Sequence, residues 1–419
     1  MTAAQFREAL DKEGIEILDF WMKEVIDIGG ERIFGRVNDD NSKDSQASLS
    51  GVLAARLVWT FSRAFSWYGH GRYLEYAEFC YSYLIDCFWD HKEGGIFWEV
   101  SPEGDVIDTR KQMYVQAFAV YALSEFCTAT KFDEALEKSF ELFSLIEKHG
   151  RDNVYGGYIE ACARNWKPAP ELLLSDKEKG SRKTMNTHLH LMEAYANLLH
   201  SAHTAGDFDK TEAVRPVLKS ITAFILDTIY DPEKKHLDLY FTGDWQVTRR
   251  EYSPGHDIEA AWLLNETAHI LNETAAGEAD KSLKDITRRV RETALVLTDQ
   301  TLKTGMRKDG SLITDYPAEE EYTGYISASR LSEWWPQAEA WTGFLDAYVR
   351  TKDPKYLTAA ESAFTWGIEN LKDKTGGEWR FGFTRDGTPI DGGKASFWKC
   401  PYHSWRGCNE GSKRLSGLP

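Results

Sequence analysis

The chain has 419 residues, 42% of them apolar and 13% aromatic, with 15 tryptophans. Its 66 acidic residues outnumber 50 basic ones, giving a formal charge of −16; such a field repels nucleic acid, and no basic stripe opposes it. No run approaches the roughly 18 apolar residues of a membrane helix, and the charged stretch over residues 1–21 lacks a signal-peptide core, so a soluble cytoplasmic protein with no nucleic-acid or membrane partner is expected.

A short Gly/aromatic element recurs along the chain, at residues 33–37, 94–100, 156–160, 236–241, 305–307 and 376–381. Aromatic stretches closed by Asp-Gly or Glu-Gly turns read as small hairpins. Between them, apolar residues recur at three and four over 113–126, 187–199, 258–271 and 335–349, which predicts helices. The hairpins are roughly 60 to 80 residues apart, room for two helices per unit. Six helical hairpins in sequence predict an all-α (α/α)6 barrel, a closed toroid with short β-hairpins at one end, as one domain over 1–419. An open solenoid is the rival; closure better explains charged and aromatic stripes on otherwise apolar helices, because inner helices then line a cavity.

In chain order, Arg56 lies on an apolar helix, where a buried guanidinium needs an anion or several acceptors. Cys80, Cys87, Cys127, Cys162, Cys400 and Cys408 form no CxxC pair and no close His/Cys ligand spacing, and read as buried or free thiols. Tyr114 opens another inner-type helix. The polar stretch 168–183, with Glu178 and several lysines, reads as a lid or a surface loop. Asn186, His190 and Glu193 share one helix face at i, i+4 and i+7, while His188 points elsewhere.

Pro254-Gly255 breaks the chain before a helix whose first turn holds His256, Asp257 and Glu259. A carboxylate three residues on can orient the ring and raise its basicity. Trp334 and Trp335 open a further helix with Gln337 and Glu339, and a ring beside amide and acid groups suits a pyranose. Trp398 and His403 lie in a loop-like patch near the C-terminus. His/Glu spacing invites a metal, but no local ligand pattern is complete and no metal is expected. GxGxxG, Walker and GxSxG motifs are absent, so no nucleotide cofactor or serine hydrolase chemistry is expected.

The segments 55–62, 94–98, 186–190, 256–259, 334–340 and 398–403, taken in order, resemble the N-acylglucosamine 2-epimerase superfamily, and most closely its cellobiose 2-epimerase branch, over about residues 15–410. The resemblance implies an (α/α)6 barrel and cofactor-free inversion at C2 of a reducing-end sugar. It also implies a general acid/base pair in His256 and His403, and a role in ring opening for His190. Arg56, Tyr114 and Asn186 would hold sugar oxygens, Glu259 would support His256, and Trp334 or Trp335 with Trp398 would stack on the sugar. A monomer or weak homodimer acting on a free disaccharide or monosaccharide is expected. The rivals are a mannose 2-epimerase or aldose–ketose isomerase, a glycoside hydrolase using Glu259 and Glu339, and a sugar-binding protein without turnover.

Overall fold

The computed structural model describes residues 1–169, 171–172, 174, 180–275, 280–318, 331–384 and 386–417. Twelve long helices account for most of the described chain: α1 Ala3–Phe20, α2 Gly51–Tyr68, α3 Gly71–Tyr83, α4 Met113–Thr130, α5 Asp133–Leu145, α6 Met185–Thr204, α7 Phe208–Phe224, α8 Pro254–Glu273, α9 Lys281–Gln300, α10 Trp334–Thr351, α11 Pro354–Trp366 and α12 Pro401–Ser416. Their burial divides them into two rings. In α4, Met113 through Cys127 is buried without interruption, the mark of a helix surrounded by protein. In α9, only a stripe through Leu283, Ile286, Val290, Ala294 and Leu297 is buried, with Gln300 and two threonines, as a surface helix requires.

The inner helices α2, α4, α6, α8, α10 and α12 pack in that order, and α12 packs back on α2, closing the toroid. Each has an outer partner: α3, α5, α7, α9 and α11 follow their inner helices in sequence. The sixth pair departs from the expectation of six sequential hairpins. Its outer helix is α1, at the other end of the chain, packed on α12. The ring is therefore shut by its two chain ends, and an open solenoid is excluded.

Every outer helix ends in a five-residue π-turn: Trp21–Val25, Leu84–Phe88, Ile146–Gly150, Ile225–Ile229, Thr301–Gly305 and Gly367–Leu371. Five close through an N–H to C=O bond spanning five residues, as from Ile26 to Trp21. The wider turn swings the chain into the hairpin beneath. The hairpins are antiparallel pairs only two or three residues long. The strand just before an inner helix pairs with one in the following unit: Leu49 opposite Val100, Lys111 opposite Cys162, Lys183 opposite Phe241, Ser332 opposite Phe383. The strands therefore collect at the end of the barrel where the inner helices begin.

Buried bridges brace these turns. Lys111 Nζ lies 3.1 Å from Asp90, Lys183 Nζ 2.6 Å from Asp152 and Lys394 Nζ 2.7 Å from Asp373. Each aspartate also accepts backbone N–H groups of its own turn. Among the described residues, no helix is long and apolar enough to cross a membrane. All six cysteines are free, five of them buried.

Candidate active site

A cavity of about 1120 Å³, counting its open mouth, sits at the end of the barrel where the inner helices start. All ten residues that the family resemblance assigns to the site line it: Arg56 from α2, Tyr114 from α4, Asn186 and His190 from α6, His256 and Glu259 from α8, Trp334 and Trp335 from α10, Trp398 from the loop before α12, and His403 from α12. The caps explain the placement. Ser50, Thr184 and Ser253 accept backbone N–H bonds at the starts of α2, α6 and α8, and Pro254 and Pro401 occupy the first helical turns, where a missing N–H costs nothing.

Each histidine is anchored by its Nδ1. His403 Nδ1 lies 2.7 Å from Glu339 Oε1, and His190 Nδ1 lies 2.8 Å from Glu193 Oε2. Both carboxylates are held ionised: burial opposes the charge most strongly, but Arg406 and the bonded histidine together outweigh it, keeping Glu193 and Glu339 below the usual range. Ionised carboxylates only accept, so both rings carry hydrogen on Nδ1 and keep Nε2 basic. His256 Nδ1 lies 2.8 Å from Ser253 Oγ. That hydroxyl gives its single hydrogen to the Thr314 carbonyl, 2.9 Å away, so His256 Nδ1 must be the donor. Burial pushes His403 down to about 3 and also lowers His190; both rings are neutral at physiological pH.

The indole of Trp335 touches both histidines expected to act as a pair: ring centroids are 4.6 Å from His256 and 5.7 Å from His403. Trp334 lies edge-on to His403 at 6.5 Å. Arg56 Nη2 donates to the Tyr114 hydroxyl at 2.9 Å, and its guanidinium lies over Phe118 and Tyr402. Burial raises the Tyr114 phenol to about 12, so it remains a donor. The Asn186 side-chain oxygen and the Trp334 indole N–H are buried without a protein partner, on the wall a ligand would meet.

Three local expectations are corrected. Glu259 does not support His256: its Oε1 accepts Arg406 Nη2 at 2.7 Å and lies 4.0 Å from His403 Nδ1. Three-residue spacing puts Glu259 on the face of His256, but the Arg406 guanidinium reaches it from α12, two places along the ring. The patch around His403 is not all loop. Pro401 starts α12, so His403, Arg406 and Glu410 form one helical face turned into the barrel. Gln337, read as a partner for sugar, bonds the backbone N–H and C=O of Leu312 at 2.8 and 2.9 Å. Gln116 does the same to Ile96 on α4, at 2.8 Å for both bonds.

His188 stays outside the cavity as expected, its Nδ1 on the Thr184 carbonyl at 2.7 Å and its Nε2 accepting the Tyr158 N–H at 2.8 Å. The stretch 168–183 falls partly outside the described residues, Glu178 and its neighbouring lysines included; Leu174 from it lines the cavity. The residue missed by sequence reasoning is Arg406. Its Nη2 donates to Glu259 and Glu339, each at 2.7 Å, and its Nη1 to Glu193 and Tyr402. Its spacing of three from His403 was the available signal, hidden by reading a loop there. Glu259, Glu339 and His403 come close enough together to hold a cation, but Arg406 is the cation those carboxylates already share.

The same architecture recurs in known proteins of related sequence. A cellobiose 2-epimerase from Bacteroides fragilis is 35% identical over 396 residues, covering 94% of this chain and 95% of the relative. The solved structure of cellobiose 2-epimerase from Bacillus thermoamylovorans superposes with a TM-score of 0.86 at 31% identity, covering 98% of this chain and 99% of that one. A solved D-mannose isomerase shares the fold at a TM-score of 0.80 and 21% identity, over 99% of this chain and 100% of that one. The family model of N-acylglucosamine 2-epimerase matches residues 33–405. With that match spanning both rings of helices and all three cavity histidines, the chain belongs to the N-acylglucosamine 2-epimerase family.

Proposed function

We propose that this protein is a sugar 2-epimerase that inverts C2 of a reducing-end aldose, with cellobiose converted to glucosyl-mannose as its reaction. The observation that carries this reading is the pair His256 and His403, each anchored through Nδ1 and both against the indole of Trp335. Inversion at C2 needs one base to remove the proton and a second group to return it on the other face. Two imidazoles on one cavity, each held through Nδ1 with Nε2 left for proton transfer, suit that exchange.

In this reading His190 assists opening of the pyranose ring and holds the open-chain sugar. One of the pair then takes the proton from C2, next to the aldehyde, leaving a cis-enediolate. Arg56 and Tyr114 face the developing oxyanion, and the six inner helices all present their positive N-terminal ends to the same cavity. The other ring, which must enter the cycle as imidazolium, returns a proton to C2 from the opposite face; the ring closes, and solvent takes the proton held by the first base and restores that of the second. The proton is only relocated, so no electrons are exchanged with a cofactor. Asn186 completes the oxygen contacts, with Trp335 and Trp398 as stacking surfaces. Glu259 belongs to the His403 side of the site. The enzyme acts as one domain over residues 1–419 in the cytoplasm, as a monomer or weak homodimer.

Proton NMR in D2O with cellobiose, and with mannose in a parallel tube, tests the proposal. Deuterium at C2 together with the new epimer is the expected result, and the faster tube gives the substrate length. The likeness to D-mannose isomerase supports a second reading, in which the enediolate is reprotonated at C1; a ketose product would establish it. Hydrolysis is disfavoured. It needs two carboxylates across the substrate, whereas Glu259 and Glu339 share Arg406 Nη2 and Glu339 is absent from the cavity wall.

A further inference from the structure

We propose that Arg406 is a positioning residue that couples the charge states of His190 and His403, so that the ring-opening group and the C2 base titrate as one unit. The geometry is a bonded path across the barrel floor. His190 holds Glu193 Oε2, and Glu193 Oε1 meets Arg406 Nη1; Arg406 Nη2 meets Glu339 Oε1, and the same oxygen holds His403. The hub and its carboxylates are fully buried, with Arg406 only 1% exposed.

Every inner helix turns a charged or titratable group toward the hub. Arg56 faces it from α2, Tyr121 from α4 with Tyr114 beside Arg56, Glu193 and His190 from α6, Glu259 from α8, and Glu339 from α10. Tyr402 and His403 share α12 with it. Three carboxylates meet one guanidinium, so a charge gained at either histidine is felt by the oxygens holding the other. A fork that bonds on both sides is what transmits this; a point charge cannot span both walls. Positive Arg406 also disfavours imidazolium at both rings. The consequence reaches the chemistry: an imidazolium formed on His403 during turnover makes His190 harder to protonate until the proton is returned to C2.

This inference rests on the proposed epimerase reading for the roles of the histidines, but its test needs no turnover. Histidine rings are followed by NMR in 15N-histidine-labelled full-length protein, with His190→Gln and His403→Gln supplying assignments. Arg406→Gln should raise the titration of both rings by a pH unit or more, about tenfold in proton affinity. Arg406→Lys, which keeps the charge, should leave them closer to wild type. The charge-balanced double variant Arg406→Gln/Glu193→Gln guards against misfolding, because it leaves one fewer unpaired carboxylate. Glu193→Gln alone should lower the His403 titration, although Glu193 does not touch that ring, whereas the double variant should differ little at His403 from Arg406→Gln alone. A His403 titration that ignores Glu193→Gln while Arg406 is in place overturns the coupling. So does an Arg406→Gln protein that is folded, by circular dichroism, with both rings titrating as in wild type. Failure of cellobiose or mannose to exchange at C2 in wild type would instead overturn the functional reading and leave these titrations intact.

Discussion

His403 presents its Nδ1 to Glu339 at 2.7 Å, across from a helix that begins 67 residues earlier in the chain. Glu339 spends its other oxygen on the Trp262 indole N–H at 2.8 Å, so the carboxylate cannot rotate away. The bond fixes the tautomer with Nε2 basic and stabilises the imidazolium that forms when C2 gives up its proton. Glu339→Gln retains the volume and one acceptor but loses the charge. It should lower kcat by about 10² to 10⁴, the range for losing an orienting acid behind a catalytic base, with little change in KM. The rate of C2 deuteration of cellobiose measures it, and a fall of less than about threefold would show that His403 is not used as a base.

The two histidines should fail in different ways. With one base on each face of C2, His403→Gln and His256→Gln should each abolish epimer formation. Each should still exchange the C2 proton of the one epimer whose face retains its imidazole, returning deuterium without inversion. Cellobiose and its mannose-ended epimer, incubated separately in D2O with each variant, should show opposite patterns. Equal exchange of both epimers in either variant would remove that histidine from the acid/base pair.

A buried histidine away from the cavity should contribute to acid sensitivity. His188 accepts the Tyr158 N–H on Nε2, so protonation must break that bond, and burial lowers its pKa to about 4 from the ordinary 6.5. The unfolded chain therefore binds the extra proton first as pH falls. Stability from this group is complete above about pH 6.5 and drains away down to about 4, amounting to about 2 kcal/mol at pH 5. His188→Gln can donate to Thr184 and accept from Tyr158 without titrating. It should flatten the decline in melting temperature between pH 7 and pH 5, even if it lowers the value at pH 7. An unchanged slope would place the acid sensitivity elsewhere.

Much of this was legible before any coordinates, for physical reasons that also mark where reading stops. The helix period and the repeated Gly/aromatic turns are local signals, so six units and a closed ring followed from them. Asn186, His190 and Glu193 were found together because one helix face carries all three. Residues joined only by tertiary packing were not legible in this way. Glu259 was paired with His256 because spacing was the only available guide, and the guanidinium that claims it comes from α12, 147 residues away. Arg406 escapes notice because the stretch around Cys400-Pro401 reads as a loop, yet that proline starts the last inner helix. The pairing of α1 with α12 was likewise invisible, since no periodicity says which distant helix fills the last gap in a ring.

That seam yields the last prediction. Lys394, wholly buried, donates to Asp373 and to Asn41 Oδ1, each at 2.7 Å, while Val37 pairs with the backbone of residues 394–395. One ammonium therefore ties the first hairpin of the chain to the last, where the ring has no covalent continuity between units. Lys394→Met keeps the length and the apolar stem but leaves the half-buried Asp373 unneutralised, with backbone N–H and Thr375 partners among the described residues. Breaking a fully buried pair costs about 3–5 kcal/mol; with one partner reached by solvent, urea unfolding should show a smaller loss, on the order of 2 kcal/mol. Hydrogen exchange should show it unevenly: amides of α1 and residues 33–44 should lose protection before those of α4 and α6, which sit opposite the seam. Uniform loss would mean that the bridge stabilises the barrel as a whole rather than closing it.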